Sequence, residues 1–175
     1  MERVFERHTP QSEGGKKERD EEPDDHALGR SRGGWGTKIH MVVDGRGTPL
    51  AALLSPGQTH DSKMFGQVFD AQESLVIRHL GEPDALAADK AYGSRAIREM
   101  ITEAGIEVVI PKKSNEAPDP KFSRNLYRQR NVVERSFGWL KESRRIVTRF
   151  EKLAVSYLAM VHLAIILKYF RVLGL

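Results

Sequence analysis

Two acids far apart in the chain, Asp89 and Glu134, stand in surroundings that phosphodiester chemistry could use. Asp89 closes the short apolar run ALAAD. A strand ending on an acid delivers a carboxylate to the carboxyl edge of a sheet, where open α/β folds place their sites. An ordinary turn aspartate has the same local sequence. Glu134 stands within YRQRNVVERSFGWLK, residues 127–141. At about 100° per residue, Tyr127, Arg130, Glu134 and Lys141 fall at roughly 0, −60, −20 and −40°, on one narrow stripe of a continuous helix. Val133, Phe137 and Leu140 form a neighbouring apolar stripe, so Glu134 sits at its edge beside two cations and a phenol. A carboxylate so placed can ligate a divalent ion while Arg130 and Lys141 meet phosphate. A salt-bridged surface stripe, with Glu134 and Arg130 as an i,i+4 pair of about 0.3–0.5 kcal/mol, fits the pattern at least as well. What would unite Asp89 and Glu134 is a reaction class. Phosphodiester cleavage with two metal ions about 3.5–4 Å apart needs several acidic oxygen ligands, and one on a strand with one on a later helix suits that task.

The elements that must position these acids are legible from periodicity. TKIHMVV alternates Ile39, Met41 and Val43 on one face, DGRG is a turn signal that explains Asp44, and TPLAALL completes a hairpin. His60 and Asp61 precede a helix that runs to about Ala71, with Asp61 as a cap. Ser94 caps a second helix, RAIREMITEAG, that stops at Gly105, and IEVVIP is a strand ended by Pro111. From Arg124 onward the chain is helical, with a break between Thr148 and Leu153. Strands alternating with helices place the chain among mixed α/β folds with a parallel element. Residues 1–36, with the charge run KKERDEEPDD and then GRSRGGWG, read as a polar flexible arm ahead of a domain over 37–175.

Composition narrows the chemistry. The absence of cysteine excludes disulfides, thiol catalysis and cysteine-based zinc sites, and the six histidines show no zinc-ligand spacing. The start, MERVFERHTP, holds no apolar run, so no signal peptide is expected. LAVSYLAMVHLAIIL, residues 153–167, is too short to span a bilayer and reads as a buried helix, which makes the protein cytoplasmic. From Arg124 to Leu175 eleven Lys and Arg face three acids, a balance of +8 in a chain whose total is +4. A polyanion partner and a solvated helix face are equally compatible with that excess.

The motifs together have a family likeness. ADKAY followed by Tyr127-x2-Arg130-x3-Glu134-x6-Lys141 resembles the signature of bacterial insertion-sequence DDE transposases of the IS-five group. LGRSRGGWGTKIH, GQTHD and RRIVTRFEKL are similar to that family as well, so the resemblance spans residues 27–170. It implies an RNase H-like mixed sheet with flanking helices, a triad of two aspartates and a glutamate, and Mg²⁺ in a two-metal site, with Mn²⁺ as an alternative. The implied activity is cutting and joining of DNA at terminal inverted repeats. On this resemblance Asp89 is the second acid and Glu134 the third, both as catalytic metal ligands. Tyr127, Arg130 and Lys141 position DNA phosphates, and Asp61 is similar to a supporting position near the active site. The implied partners are double-stranded DNA, as element ends and as target, and a second transposase molecule through self-association or assembly with the full-length enzyme.

The chain departs from the pattern at its start. The family's first aspartate falls at Met1 or Glu2, and no apolar strand precedes that point. The expectation is therefore a sheet lacking its first, central strand, in the C-terminal part of a longer enzyme. Unpartnered buried backbone groups cost about 1–3 kcal/mol each, so such a part would be loosely folded and inactive alone. The alternative is a non-catalytic fragment whose basic C-terminal helices bind DNA or full-length transposase.

Overall fold

The computed structural model describes residues 2–8, 26–72, 81–113, 115–117, 119–120 and 122–174. The elements are β1 (Glu2–His8), β2 (Gly29–Ser31), β3 (Gly34–Asp44), β4 (Pro49–Pro56), α1 (Asp61–Gln72) and β5 (Ala85–Ala88). A 3₁₀ turn (Lys90–Tyr92), α2 (Arg95–Glu103), β6 (Glu107–Val109), α3 (Arg124–Gln129), α4 (Asn131–Leu140), α5 (Arg144–Thr148) and α6 (Ala154–Leu173) follow. The strand order is β2-β3-β1-β5-β6, with β4 paired to β3. β5 pairs in parallel with β1 on one side and with β6 on the other, and β2 is antiparallel to β3. This is the RNase H-like mixed sheet that the resemblance implied.

Its centre corrects the expectation of a missing strand. β1 occupies that place, with Glu2 opposite Ala85 and Phe5 opposite Ala88. The charged sequence ERVFERH hid a strand because it lacks an apolar period and its pairing partner, β5, lies far along the chain. The proposed polar arm over residues 1–36 thus contains β1, β2 and the start of β3. The charge run KKERDEEPDD lies outside the described residues.

The described chain forms two compact units, Met1–Glu6 with Met41–Ala51 and His60–Ser136, and Arg7–His40 with Ala52–Thr59 and Phe137–Leu175. In the first, the wholly buried strand β5 and the buried side of α2, Ile97 and Ile101, supply core side chains. Ser94 caps α2 by accepting from the Ile97 N–H at 3.4 Å, and Gly105 ends its turn at φ +74°, as expected. Asp44 is a turn residue, its Oδ1 accepting from the N–H groups of Arg46 and Thr48 at 2.9 and 2.8 Å.

In the second unit the expected one-sided alternation of β3 gives way to burial on both faces. Thr37, Lys38 and His40 are buried with Ile39, because each finds a partner. Lys38 Nζ donates to Thr59 O at 2.6 Å, Thr37 Oγ1 to Ala27 O at 2.7 Å, and His40 Nε2 lies 2.7 Å from Ser55 Oγ. α6 departs further from its reading. The apolar run ends at Leu167, but the helix continues through Lys168 and Arg171 to Leu173, twenty residues in all. By length and composition α6 could cross a membrane, and only Tyr157, Val161 and Ile165 on it are buried. It is therefore neither too short to span nor a buried helix. Leu163, Ile166, Leu167 and Phe170 face outward instead.

Candidate functional site

β5 delivers Asp89 as its sequence promised. The strand is buried throughout, and the chain leaves it at Asp89 with extended dihedrals, φ −65° and ψ 156°. Asp89 then caps the 3₁₀ turn, its Oδ1 accepting from the Ala91 N–H at 3.0 Å. Two contacts fix that turn. The buried Tyr92 ring lies 6.0 Å from the Phe65 ring of α1, and Arg98 of α2 donates to Gly93 O at 3.3 Å and to Ile110 O and Pro111 O at 3.1 Å. Arg98 thereby ties the chain after Asp89 to the end of β6. This tie is not legible from sequence, since carbonyl acceptors 12 and 13 residues away leave no periodic trace.

α3 packs on β5 and leads directly into Glu134. The continuous helix expected over Tyr127–Lys141 is divided at Arg130, which follows α3 as its C-cap at φ −51° and ψ −23°. Bonds from Arg130 N to Tyr127 O and from Val133 N to Arg130 O tighten the chain there to three-residue spacing. Tyr127, Arg130 and Glu134 nevertheless remain linked. The Arg130 guanidinium sits 5.7 Å from the Tyr127 ring centroid, and its Nη2 donates to Glu134 Oε1 at 2.7 Å. The Arg130 side chain is 17% exposed and that of Glu134 54%, so the carboxylate opens to solvent on a mostly covered cation. Lys141 lies just past the end of α4, exposed, outside this chain of contacts. Asp61 is the first residue of α1, the helix that packs on the 3₁₀ turn after Asp89.

Ser136 is the positioning residue that sequence reasoning missed. Its buried hydroxyl donates to Gly47 O at 2.6 Å, at the β3–β4 turn, and lies 3.0 Å from Val132 O. It thus docks the first turns of α4, and Glu134 with them, on the turn that Asp44 organises. Gly47 is needed in its place: at φ +85° a side chain is strained, and a Cβ would stand 3.0 Å from Ser136 Oγ. Ser136→Ala strips the Gly47 carbonyl of this donor and is expected to lower stability by about 1–3 kcal/mol, read by urea denaturation.

Each candidate carboxylate has one oxygen engaged, Asp89 Oδ1 by a backbone N–H and Glu134 Oε1 by Arg130. Among the described residues no three His, Asp or Glu side chains converge into a metal cluster. The register places Glu2 opposite Ala85, at the far end of β5 from Asp89, so the position expected for a first acid is not beside the second.

The family described as the transposase DDE domain matches residues 6–167. The chain belongs to this family. A candidate transposase of insertion sequence element IS402 from Burkholderia cepacia is 36% identical over 122 residues, 68% of this chain and 56% of that protein. A candidate transposase of insertion sequence element IS6501 from Brucella ovis is 32% identical over 130 residues, 73% of this chain and 93% of that protein. This DDE-family chain thus matches little over half the length of one relative and nearly all of the other. Among solved structures, the piggyBac transposase synaptic complex with hairpin DNA is similar with a TM-score of 0.43 and 17% identity, covering 71% of this chain and 26% of that one.

Proposed function

We propose that this chain is the catalytic domain of an insertion-sequence transposase, which cuts DNA strands at terminal inverted repeats and joins them to target DNA in the cytoplasm. The observation that carries the reading is the delivery of Asp89 at the carboxyl end of β5, with α3, which leads into Glu134, packed on that same strand. Mg²⁺ binding commonly uses one or two carboxylates and takes its remaining ligands from substrate phosphate and water. Two carboxylates, each with a second oxygen outside the hydrogen bonds above, fit that requirement. When bound, Mg²⁺, or Mn²⁺ in its place, supplies Lewis-acid polarisation of the phosphodiester and activation of the attacking water or DNA 3′-hydroxyl.

The chain's own residues do the rest. Asp89 is held by its cap and Glu134 by Arg130, so both carboxylates are oriented before substrate arrives. Arg130, steadied against Tyr127 and bonded to Glu134, brings a cation beside that carboxylate, and Lys141 offers a second cation at the end of α4. Asp61 supports the turn through its helix. Self-association or assembly with a longer transposase would bring two such sites to the two element ends.

The test is incubation of the chain with linear DNA carrying the element's own ends. Strand cleavage at the repeats is expected with Mg²⁺ or Mn²⁺, its loss with EDTA, and its return when the metal is restored in excess. Cleavage indifferent to EDTA, or none under any metal, would overturn the reading.

A further inference from the structure

The tip of the β2–β3 hairpin contributes little to either core. From Arg30 to Trp35 every residue is exposed or half-exposed, and the described sequence from His26 to Val43 contains no acid. Arg30 and Arg32 are exposed and form no ion pair among the described residues, while Trp35 is 45% exposed. Arg30 lies opposite Trp35 in the ladder and Ser31 opposite Gly34. A cross-strand pair projects from the same face of a two-stranded ribbon, so this guanidinium and indole are presented together.

The hairpin is nonetheless held firmly. At its tip Ser31 Oγ donates to Gly34 O at 3.1 Å and accepts from the Gly33 N–H at 3.2 Å, and Gly34 takes φ +104°, a conformation suited to glycine. At its base the Gly57 N–H donates to Gly36 O at 2.9 Å, and a Cβ on Gly57 would lie 2.6 Å from Gly29 O. Thr37 Oγ1 donates to Ala27 O, and Arg149 bonds both Thr37 and the His26 carbonyl. A ribbon braced by backbone contact at its base, with cations and an indole at its end, is preorganised to meet something outside the fold.

We propose that this hairpin is a DNA-gripping prong, in which Arg30 and Arg32 engage phosphates and the Trp35 indole stacks on an unpaired base. The inference rests on the DNA reading above and extends it to a surface that contains neither Asp89 nor Glu134. Arginines bind phosphate irrespective of sequence, and an aromatic face stacks on any base freed from the duplex. Strand cleavage produces such ends, so single-stranded or frayed DNA is the ligand class this tip suits.

The test uses the whole chain and labelled DNA of arbitrary sequence, either blunt or with a single-stranded overhang, titrated by fluorescence anisotropy from low to moderate salt. The Arg30→Ala, Arg32→Ala double variant is expected to flatten the slope of log affinity against log salt by about 1.4–1.8, at about 0.7–0.9 per phosphate contact. Trp35→Ala should weaken overhang binding at least about five-fold with little change on blunt duplex, and Trp35→Phe should restore most of it. All three positions are exposed, and an unchanged thermal melt verifies the fold. Wild-type binding with unaltered slope and affinity in the variants overturns the prong while leaving the DNA reading intact. No binding by the wild-type chain to either DNA overturns both.

Discussion

Glu134→Gln is expected, on the proposed function, to reduce metal-dependent strand cleavage by about 10³-fold or more while leaving the melting temperature nearly unchanged. Glutamine has the same length and keeps an oxygen that can accept from Arg130, so the packing of α4 on Val133 and its hydroxyl anchor at Ser136 are undisturbed. What disappears is the negative charge. Losing one preorganised electrostatic contact to a transition state costs about 10²–10³ in rate, and losing a charged metal ligand adds to that. The competing account, a surface ion pair and nothing more, predicts a different outcome. It would cost about 0.3–0.5 kcal/mol of stability and leave cleavage alone, because an i,i+4 pair with a 54% exposed acid is screened by solvent. A rate assay beside a thermal melt therefore separates the two. Asp89→Asn should behave alike in rate, because the amide retains an oxygen for the Ala91 N–H.

The contrast between what the sequence disclosed and what it concealed follows the range of the interactions. ALAAD, the Ser94 cap, the Asp44 turn and the stripe of Val133, Phe137 and Leu140 depend on neighbours within a few residues, and the fold contains all of them. The division at Arg130 escaped because a C-cap with helical dihedrals leaves the hydrophobic period intact on both sides. Ser136 and Arg98 were invisible for a different reason: their acceptors are backbone carbonyls 89 and 12–13 residues away, which carry no residue identity. β1 combined both obstacles. Its charged sequence lacks strand alternation, and its pairing with β5 crosses more than 75 residues of chain, Glu2 to Ala85. The outward face of α6 marks the opposite failure, in which a strongly apolar run is taken as proof of burial although roughly half of a folded surface is itself apolar.

Arg149 is the residue whose loss should damage the fold most. The sequence places a break between Thr148 and Leu153, and the structure shows what the break is for. Arg149 sits at φ +46°, left-handed and unusual for a side-chain-bearing residue, which turns its guanidinium inward. It donates to Thr37 Oγ1, to the His26 carbonyl, to Lys152 O at 3.1 Å and, through Nε, to Glu151 O at 3.3 Å. The Tyr157 ring lies 5.0 Å from it, and the Tyr157 hydroxyl donates to Ile146 O at 2.7 Å. Burial lowers the Arg149 pKa and pushes that of Tyr157 above its ordinary range, the mark of a cation and a phenol both taken from water. Arg149→Ala removes every one of these donors and leaves the strain, so a loss of about 3–5 kcal/mol is expected, a large part of a typical domain's stability of about 5–15 kcal/mol. Arg149→Lys should recover less than half, since one ammonium cannot match a planar fork aimed at several acceptors. Arg149→Gly is the informative control. It relieves the left-handed backbone, worth about 1–2 kcal/mol, and still lacks the network. If urea denaturation found the glycine variant as stable as wild type, backbone strain and not the buried guanidinium would govern this corner. A glycine variant lying only slightly above alanine would assign the stability to the hydrogen bonds that join α5, α6 and β3.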